Sequence, residues 1–198
     1  SFLTACFPGE AIQLVPITGD ASFRRYFRFS IAKKSYILMD APTPAEDCSR
    51  FVATQQAFAQ AGLLVPQIIA QDIPQGLLLL SDLGDTLLLS RLTEQTVTVS
   101  YRQALATLTK VRTISSTNAG PLPVFDQAFL LREMQIFIDW FVLQHLQLTL
   151  NEQEHMMLQR QFLLLADTAL QQPQAGMHRD YHSRNLMVQP DGQLAVID

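Results

Sequence analysis

The sequence predicts an α+β protein of two lobes, the first built on an antiparallel sheet and the second mainly helical. Three observations carry this expectation. Residues 11–40 run in short apolar alternations separated by turn-forming residues, the period-two signature of strands. Residues 93–170 instead place apolar residues at helical spacing along three long segments. The closing residues return to two short apolar runs, "LMV" and "LAVI", on either side of "QPDG".

Taken in order, "AIQLVPI" and "SFRRYFRFS" read as strands, and "SYILM" follows the turn-like "AKK" as the second arm of an antiparallel hairpin. "TPAEDCSRFVATQQAFAQAG" reads as a helix. Pro44 suits its first turn, Glu46 and Asp47 complement the positive end of its dipole, and Gly62 suits its C-cap. Phe51, Val52, Phe58 and Ala59 fall on one face of it. The apolar stretch "VPQIIAQD" leads into the strand "GLLLLSDLG", and the lobe boundary is expected at Ser81–Asp85, giving lobes of residues 1–82 and 83–198. Three helices follow: 93–114 with Val97, Tyr101, Leu105, Leu108 and Val111 on its apolar face, 125–146, and 151–170 with Asn151 as N-cap.

Composition narrows the function classes. Hydrophobic residues at 48% and charged residues at 16% describe a folded chain with a real core. The net charge of -4 and the absence of a Lys/Arg block speak against a nucleic-acid binder. No run approaches the roughly 18 apolar residues of a membrane span. Cys6 and Cys48 are too few and too far apart for a disulfide framework, and no signal peptide is legible, so a cytoplasmic setting is expected. The chain begins without Met and ends inside a strand-like run, features expected of a piece of a longer protein.

The chemistry concentrates in "GMHRDYHSRNLMVQPDGQLAVID". Pro-Asp-Gly turns the chain back, so Asn185 comes to lie across from the segment that ends at Asp198. Two oxygen side chains at one end of a hairpin suit a hard divalent cation such as Mg²⁺; the structural alternative is a pair of loop caps. Asp180, in the loop entering the hairpin, is placed to accept a proton from an attacking hydroxyl. His178 reads as a packed histidine. His182 and Arg184 are expected to face a substrate.

H-R-D-x-x-x-x-N followed by a strand ending in I-D resembles the catalytic signature of the protein-kinase-like fold. The His two positions after the Asp in "HRDYHSRN" is similar to the aminoglycoside phosphotransferase and choline kinase branch. "GDASFRRYFR" resembles that branch's phosphate-covering hairpin, and "LLLLSDLG" its strand and hinge against adenine. With "ILMDAP", "LLREM" and the Trp of "IDWF", the segments look closest to the bacterial anomeric kinases of N-acetylmuramate and N-acetylglucosamine, which act in cell-wall sugar recycling. The resemblance implies ATP and Mg²⁺ as cofactors, a sugar as the small-molecule substrate, Asp180 as catalytic base, and Asn185 and Asp198 as metal ligands. It further implies that the backbone of Ser81 and Leu83 bonds adenine, and that Gly19, Asp20, Ala21 and Ser22 cover the phosphates. In this fold further helices follow the metal Asp; they are missing here, and this chain by itself is expected to show little activity.

The sequence also departs from the kinase pattern. Lys33, Lys34 and Lys110 are the only lysines, none stands at the end of "SYILMD", and the next helix carries Gln55 and Gln56 where a pairing Glu is expected. A substitute cation is therefore sought among Arg24, Arg25 and Arg28. Arg25 shares a strand face with Phe23, Phe27 and Phe29 and is preferred over Arg24 as the phosphate clamp; Arg28 is expected to be solvated. Other readings stand beside this one. An aminoglycoside or choline kinase of the same fold is permitted by Glu133 and Asp139, or by Trp140, Phe141 and Tyr181. A zinc hydrolase would use His178, Asp180 and His182 as ligands. A non-catalytic nucleotide-binding pseudokinase is suggested by the missing Lys–Glu pair.

Overall fold

The computed structural model describes residues 2–17, 24–42 and 48–197. The chain divides into two compact units, Ser1–Pro121 with Gly176–Asp198, and Leu122–Ala175. The expected lobe boundary at residues 82/83 falls inside the first of these.

The first unit opens with a short helix, α1 (Phe2–Cys6), and a five-stranded antiparallel sheet follows. Its strands are β1 (Val15–Ile17), β2 (Arg25–Ile31), β3 (Lys34–Asp40), β4 (Ile68–Asp72) and β5 (Leu77–Ser81), in the order β1-β2-β3-β5-β4. The β2–β3 register runs from Arg25↔Asp40 to Ile31↔Lys34. Only Ala32 and Lys33 lie in the turn, at φ 48° and 67°. A type I′ hairpin requires positive φ at both central residues, and here two non-glycine residues supply it. Each face of the sheet has its own core. Phe29, Leu38 and Leu79 pack beneath Phe2, Leu3, Cys6 and Phe7, so α1 covers that side. On the other, Met39, Leu78 and Leu80 pack with Cys48, Phe51 and Val52 of helix α2 (Cys48–Gln60).

Helix α3 (Leu88–Arg91) is a single turn, and α4 (Val97–Val111) is the long helix of this unit. It is buried through Ala104 and Val111, while Val97, Tyr101 and Leu105 are exposed. Ala104 lies seven residues from both Val97 and Val111, so the buried stripe falls on the expected face, but only part of that face is covered. The carbonyl of Ala104 takes the Tyr181 hydroxyl (2.7 Å), so the helix meets the loop that carries Asp180 at this small residue. A small hairpin follows, β6 (Ser116–Thr117) and β7 (Gly120–Pro121). The unit closes on β8 (Leu186–Val188) and β9 (Leu194–Val196), paired Leu186↔Val196 through Val188↔Leu194. As expected, Pro190-Asp191-Gly192 forms the turn. Gly192 sits at φ 84°, its N–H bonds Gln189 O, and Asp191 accepts from Gln193 N.

The second unit holds α5 (Gln127–Ile136), a π-helical segment (Phe137–His145) and α6 (Glu152–Leu170). Asp126 caps α5 by accepting from Phe129 N at 2.8 Å. Asn151 caps α6 as expected, in a reciprocal box with Glu154. The single helix expected over 125–146 changes its winding midway: Leu146 N–H reaches Phe141 O, five residues back, at 2.9 Å. Among the described residues no helix is long and apolar enough to cross a membrane.

Candidate active site

The catalytic loop begins where the chain passes tightly over the end of α4. Gly176 N–H bonds Arg112 O (3.2 Å), and a Cβ at this position would lie 2.4 Å from both Val111 O and Ile114 O. No side chain fits without moving backbone. His178 then packs against Phe58 of α2 (5.7 Å, tilted) and edge-on to Tyr181 (5.5 Å), the packed role expected for it. Tyr181 is half-buried; burial raises its pKa, with Thr107 opposing. These contacts pin the loop to α2 and α4 on either side of Asp180. Arg179, between them, is held at φ 74°.

Asp180 itself is exposed, and both its oxygens are engaged. Oδ1 lies 3.1 Å from His182 Nε2, and Oδ2 accepts from Asn185 Nδ2 at 3.0 Å. The same Nδ2 reaches Asp180 O at 3.1 Å. Both Asn185 contacts are acceptors, so the amide nitrogen faces them and the carbonyl oxygen is the atom left for a cation. His182 Nδ1 accepts from Arg184 N–H (3.2 Å), which places the proton of a neutral imidazole on Nε2, facing Asp180. His182 is therefore turned to Asp180, and Arg184 is exposed beside it.

Asn185 is buried. Its O accepts from Ile197 N at 3.0 Å, so the register carries the chain at residue 197 back to Asn185. Asp198 lies outside the described residues. A buried amide oxygen beside an exposed carboxylate, at the mouth of a hairpin, is a donor set that fits Mg²⁺. It does not fit zinc, because His178 packs between rings and not beside Asp180 and His182. Among the described residues no three His, Cys, Asp or Glu side chains come together as a metal cluster.

The expected adenine-facing residues, Ser81 and Leu83, sit where β5 leaves the sheet. Ser81 is fixed to Gln67 by two bonds, its N–H to Gln67 O (2.9 Å) and Gln67 N–H to its Oγ (2.8 Å). Leu83 O accepts from Gln189 Nε2 (3.0 Å), and Thr86 O from Val188 N (2.8 Å). The hairpin that carries Asn185 is therefore bonded to this loop.

Arg28 is not solvated, contrary to the expectation for it. Its Nε lies 2.6 Å from Asp82 Oδ2, Nη2 reaches Asp82 Oδ1 (3.0 Å) and Gly84 O (2.9 Å), and Nη1 pairs with Asp85. Asp82 also accepts from Ser35 Oγ (2.5 Å) and Gly84 N (2.9 Å). Burial pushes the Asp82 carboxyl up, but bonds from Arg28, Ser35 and Gly84 N–H outweigh it and hold its pKa below the usual value. The Arg28 guanidinium is correspondingly raised, chiefly by its bond to Asp82. Arg25 pairs across the hairpin with Asp40 and is largely exposed, on the sheet face whose core α1 covers. The Arg24 guanidinium lies 5.8 Å above the Phe51 ring of α2. Gly19, Asp20, Ala21 and Ser22 lie outside the described residues.

Sequence reasoning missed Arg28, Asp82, Asp85 and Gln189. A mid-strand arginine and two acids around a glycine at a strand exit, "SDLGD", were signals that pointed to them.

A family model described as the phosphotransferase enzyme family matches residues 13–198. The N-acetylmuramate/N-acetylglucosamine kinase of Pseudomonas aeruginosa is 43% identical over 176 residues, covering 89% of this chain and 52% of that protein. The protein of the same name from Pseudomonas putida is 41% identical over 175 residues, covering 88% and 51%. The chain thus spans about half the length of these curated relatives. A solved aminoglycoside phosphotransferase superposes over all of this chain and 69% of its own, at a TM-score of 0.66 and 16% identity. A thermostable mutant crystallised with ADP and hygromycin B gives 0.64 at 17%, with the same coverage. These likenesses show the protein-kinase-like fold, and the family match runs through the sheet, the Ser81–Asp85 loop and the whole catalytic loop. The chain belongs to the phosphotransferase enzyme family.

Proposed function

We propose that this chain carries the nucleotide-binding and catalytic-loop machinery of an ATP-dependent sugar kinase, which phosphorylates the C1 hydroxyl of N-acetylmuramate or N-acetylglucosamine. The observation that carries the reading is Asp180, exposed yet held at both oxygens by His182 and Asn185. A base must be within reach of a substrate and fixed in aim, and this carboxylate is both. The 43% identity to a curated kinase of these two sugars supports the substrate class.

Asp180 accepts the proton of the sugar hydroxyl as its oxygen bonds to the γ-phosphorus and the bond to ADP breaks. An anomeric hydroxyl is more acidic than an ordinary alcohol, so a carboxylate suffices. His182 acts through Asp180, as a positioning residue. Arg184, exposed at the loop, is the group to meet the lactyl carboxylate of muramate. Asn185 Oδ1 and Asp198 would hold Mg²⁺, which supplies charge neutralisation to the phosphates when bound. Ser81 and Leu83 offer backbone groups to adenine. Gly19, Asp20, Ala21 and Ser22 close over the phosphates, with Arg25, or Arg24, in place of the absent strand lysine.

The test offers ATP and Mg²⁺ to the protein at the full length of its curated relatives, with N-acetylmuramate, N-acetylglucosamine, glucose, choline and an aminoglycoside. Product carrying phosphate at C1 of the two N-acetyl sugars is expected. Phosphate at C6, or preference for choline or the aminoglycoside, overturns the substrate assignment.

A further inference from the structure

We infer that Arg28 is a positioning residue for nucleotide binding: through Asp82, Gly84 and Asp85 it holds the Ser81–Asp85 loop in the one shape that presents backbone to a purine. The inference rests on the proposal that adenine lies against this loop.

Three features separate this role from phosphate binding. First, the guanidinium is consumed. Arg28 donates from Nη2 to Asp82 Oδ1 and Gly84 O and from Nη1 to Asp85, and its buried Nε lies against Asp82 Oδ2 as an ion-pair contact without a hydrogen bond. Little is left for a phosphate. Second, the local charge has the wrong sign for an anion. Arg28 contributes one positive charge against the two carboxylates of Asp82 and Asp85, so the cluster is net negative. A neutral base with an exocyclic amino group suits such a surface better than a polyphosphate does.

Third, the contacts bracket the residue that matters. Leu83 has Asp82 on one side and Gly84 on the other, and Arg28 bonds both. Asp82 turns back to accept from Gly84 N–H, closing a tight loop in which Gly84 sits at φ 87°. From β3, Ser35 Oγ adds a bond to the same carboxylate. Arg28 and Ser35 both project from the sheet face that carries Met39 and packs α2, as the register Arg28↔Ile37 requires. The opposite side of the loop is held by Gln189, through Leu83 O. The Leu83 backbone is thus clamped from the sheet by Arg28 and from the metal hairpin by Gln189. The polar side chains of the loop, Ser81, Asp82 and Asp85, are engaged as anchors, which leaves its backbone as the polar recognition element.

The experiment is calorimetric titration of the wild-type chain and its variants with adenosine and, in the presence of Mg²⁺, with ADP. If Arg28→Ala leaves the competent loop about a tenth populated, affinity for any adenine ligand falls about tenfold, and by the same factor for both ligands. Arg28→Lys keeps the charge but not the fork, and should recover only part of the loss. Circular dichroism and the melting temperature establish that each variant is folded. Should Arg28→Ala not fold, Ser35→Ala removes one bond to Asp82 and is expected to weaken adenosine and ADP alike by about fivefold, one hydrogen bond's worth. Adenosine affinity within twofold of wild type in the folded variant tested overturns the inference, and so does a loss confined to ADP. Protein at the full length of its curated relatives that binds adenosine but phosphorylates no sugar overturns the proposed activity and leaves this inference standing.

Discussion

Replacing Asp180 by Asn tests the base with the least disturbance of the loop. The carboxylate receives a proton donor at each oxygen, His182 Nε2 at 3.1 Å and Asn185 Nδ2 at 3.0 Å. An asparagine has one acceptor oxygen, so its amide nitrogen must face one of those donors. If it keeps the bond to the buried Asn185, the lost partner is His182, which is partly exposed and can turn to water. One net hydrogen bond is then surrendered, about 1 kcal/mol of stability, or about 2–4 °C in Tm for a protein of this size. The chemical effect is much larger. Loss of a general base lowers turnover by roughly 10²–10⁴, about 3–5 kcal/mol of barrier. The assay, on protein at the full length of its curated relatives, pairs initial rates of phosphate transfer to N-acetylglucosamine with calorimetric ADP affinity. A large fall in kcat with ADP affinity within a few-fold is expected. Turnover within a factor of two of wild type, in protein that binds ADP normally, would remove Asp180 from the base role.

Two other expectations follow from the same geometry. The Asp82 carboxyl has its pKa lowered in the folded protein, so its contribution is fully present above the ordinary carboxylate value and lost as pH falls below it. A melting series from about pH 5 to pH 2 should show a steeper acid loss for wild type than for Asp82→Asn, and parallel curves would contradict the pairing with Arg28. Gly176→Ala places a Cβ within 2.4 Å of two backbone oxygens, so it should displace the start of the catalytic loop. The readout is a lower melting temperature together with reduced kcat, by a margin of about 1–3 kcal/mol in stability as for other overpacked sites; an unchanged Tm would show that the loop end yields freely.

Local chemistry was legible wherever it is written in neighbouring residues. Pro190-Asp191-Gly192 turned as read, Asn151 capped as read, and the hairpin brought Asn185 across from residue 197. What escaped depends on partners distant in sequence. Helix α1 has only five residues, too few to show a period, and its place comes from Phe2, Leu3 and Phe7 packing over Phe29 and Leu79. Helix α4 is buried on its expected face only through Ala104 and Val111, because Tyr181, far along the chain, meets the helix at the Ala104 carbonyl while Val97, Tyr101 and Leu105 stay exposed. The π-helical winding of Phe137–His145 was hidden by "FIDWFVLQH" itself, since apolar residues on nearly every side give no period by which four- and five-residue bonding can be told apart. Arg28 was misread for a related reason: alternation assigns a side chain to a face, but not the acids that meet it there, and those lie 54 and 57 residues away.

The missing strand lysine leaves the sharpest open choice in the site, and the structure sets it up as a competition. All three lysines are placed elsewhere: Lys33 in the β2–β3 turn, Lys34 over the Tyr36 ring, and Lys110 on Gly62 O. Met39, near the end of β3, is fully buried against α2, and Gln55 of that helix bonds Pro66 O. No cation can enter there without dismantling the core. If Arg25 is the clamp, phosphate must draw its guanidinium away from Asp40, its cross-strand partner. Asp40 is then an inhibitor of nucleotide binding, and Asp40→Asn should tighten ADP by several-fold while leaving adenosine unchanged. A carboxylate near phosphate repels it directly as well, so the single variant does not suffice. The double variant separates the two, because coupling through a shared partner is non-additive. With Arg25 already replaced by Ala, Asp40→Asn should gain almost nothing if Asp40 acts by holding Arg25, and should gain the full factor if it acts by repulsion alone. Arg24→Ala is the control: it removes a guanidinium from Phe51 and, on this argument, costs less ADP affinity than Arg25→Ala. The opposite order would move the clamp to Arg24 and to the α2 side of the sheet.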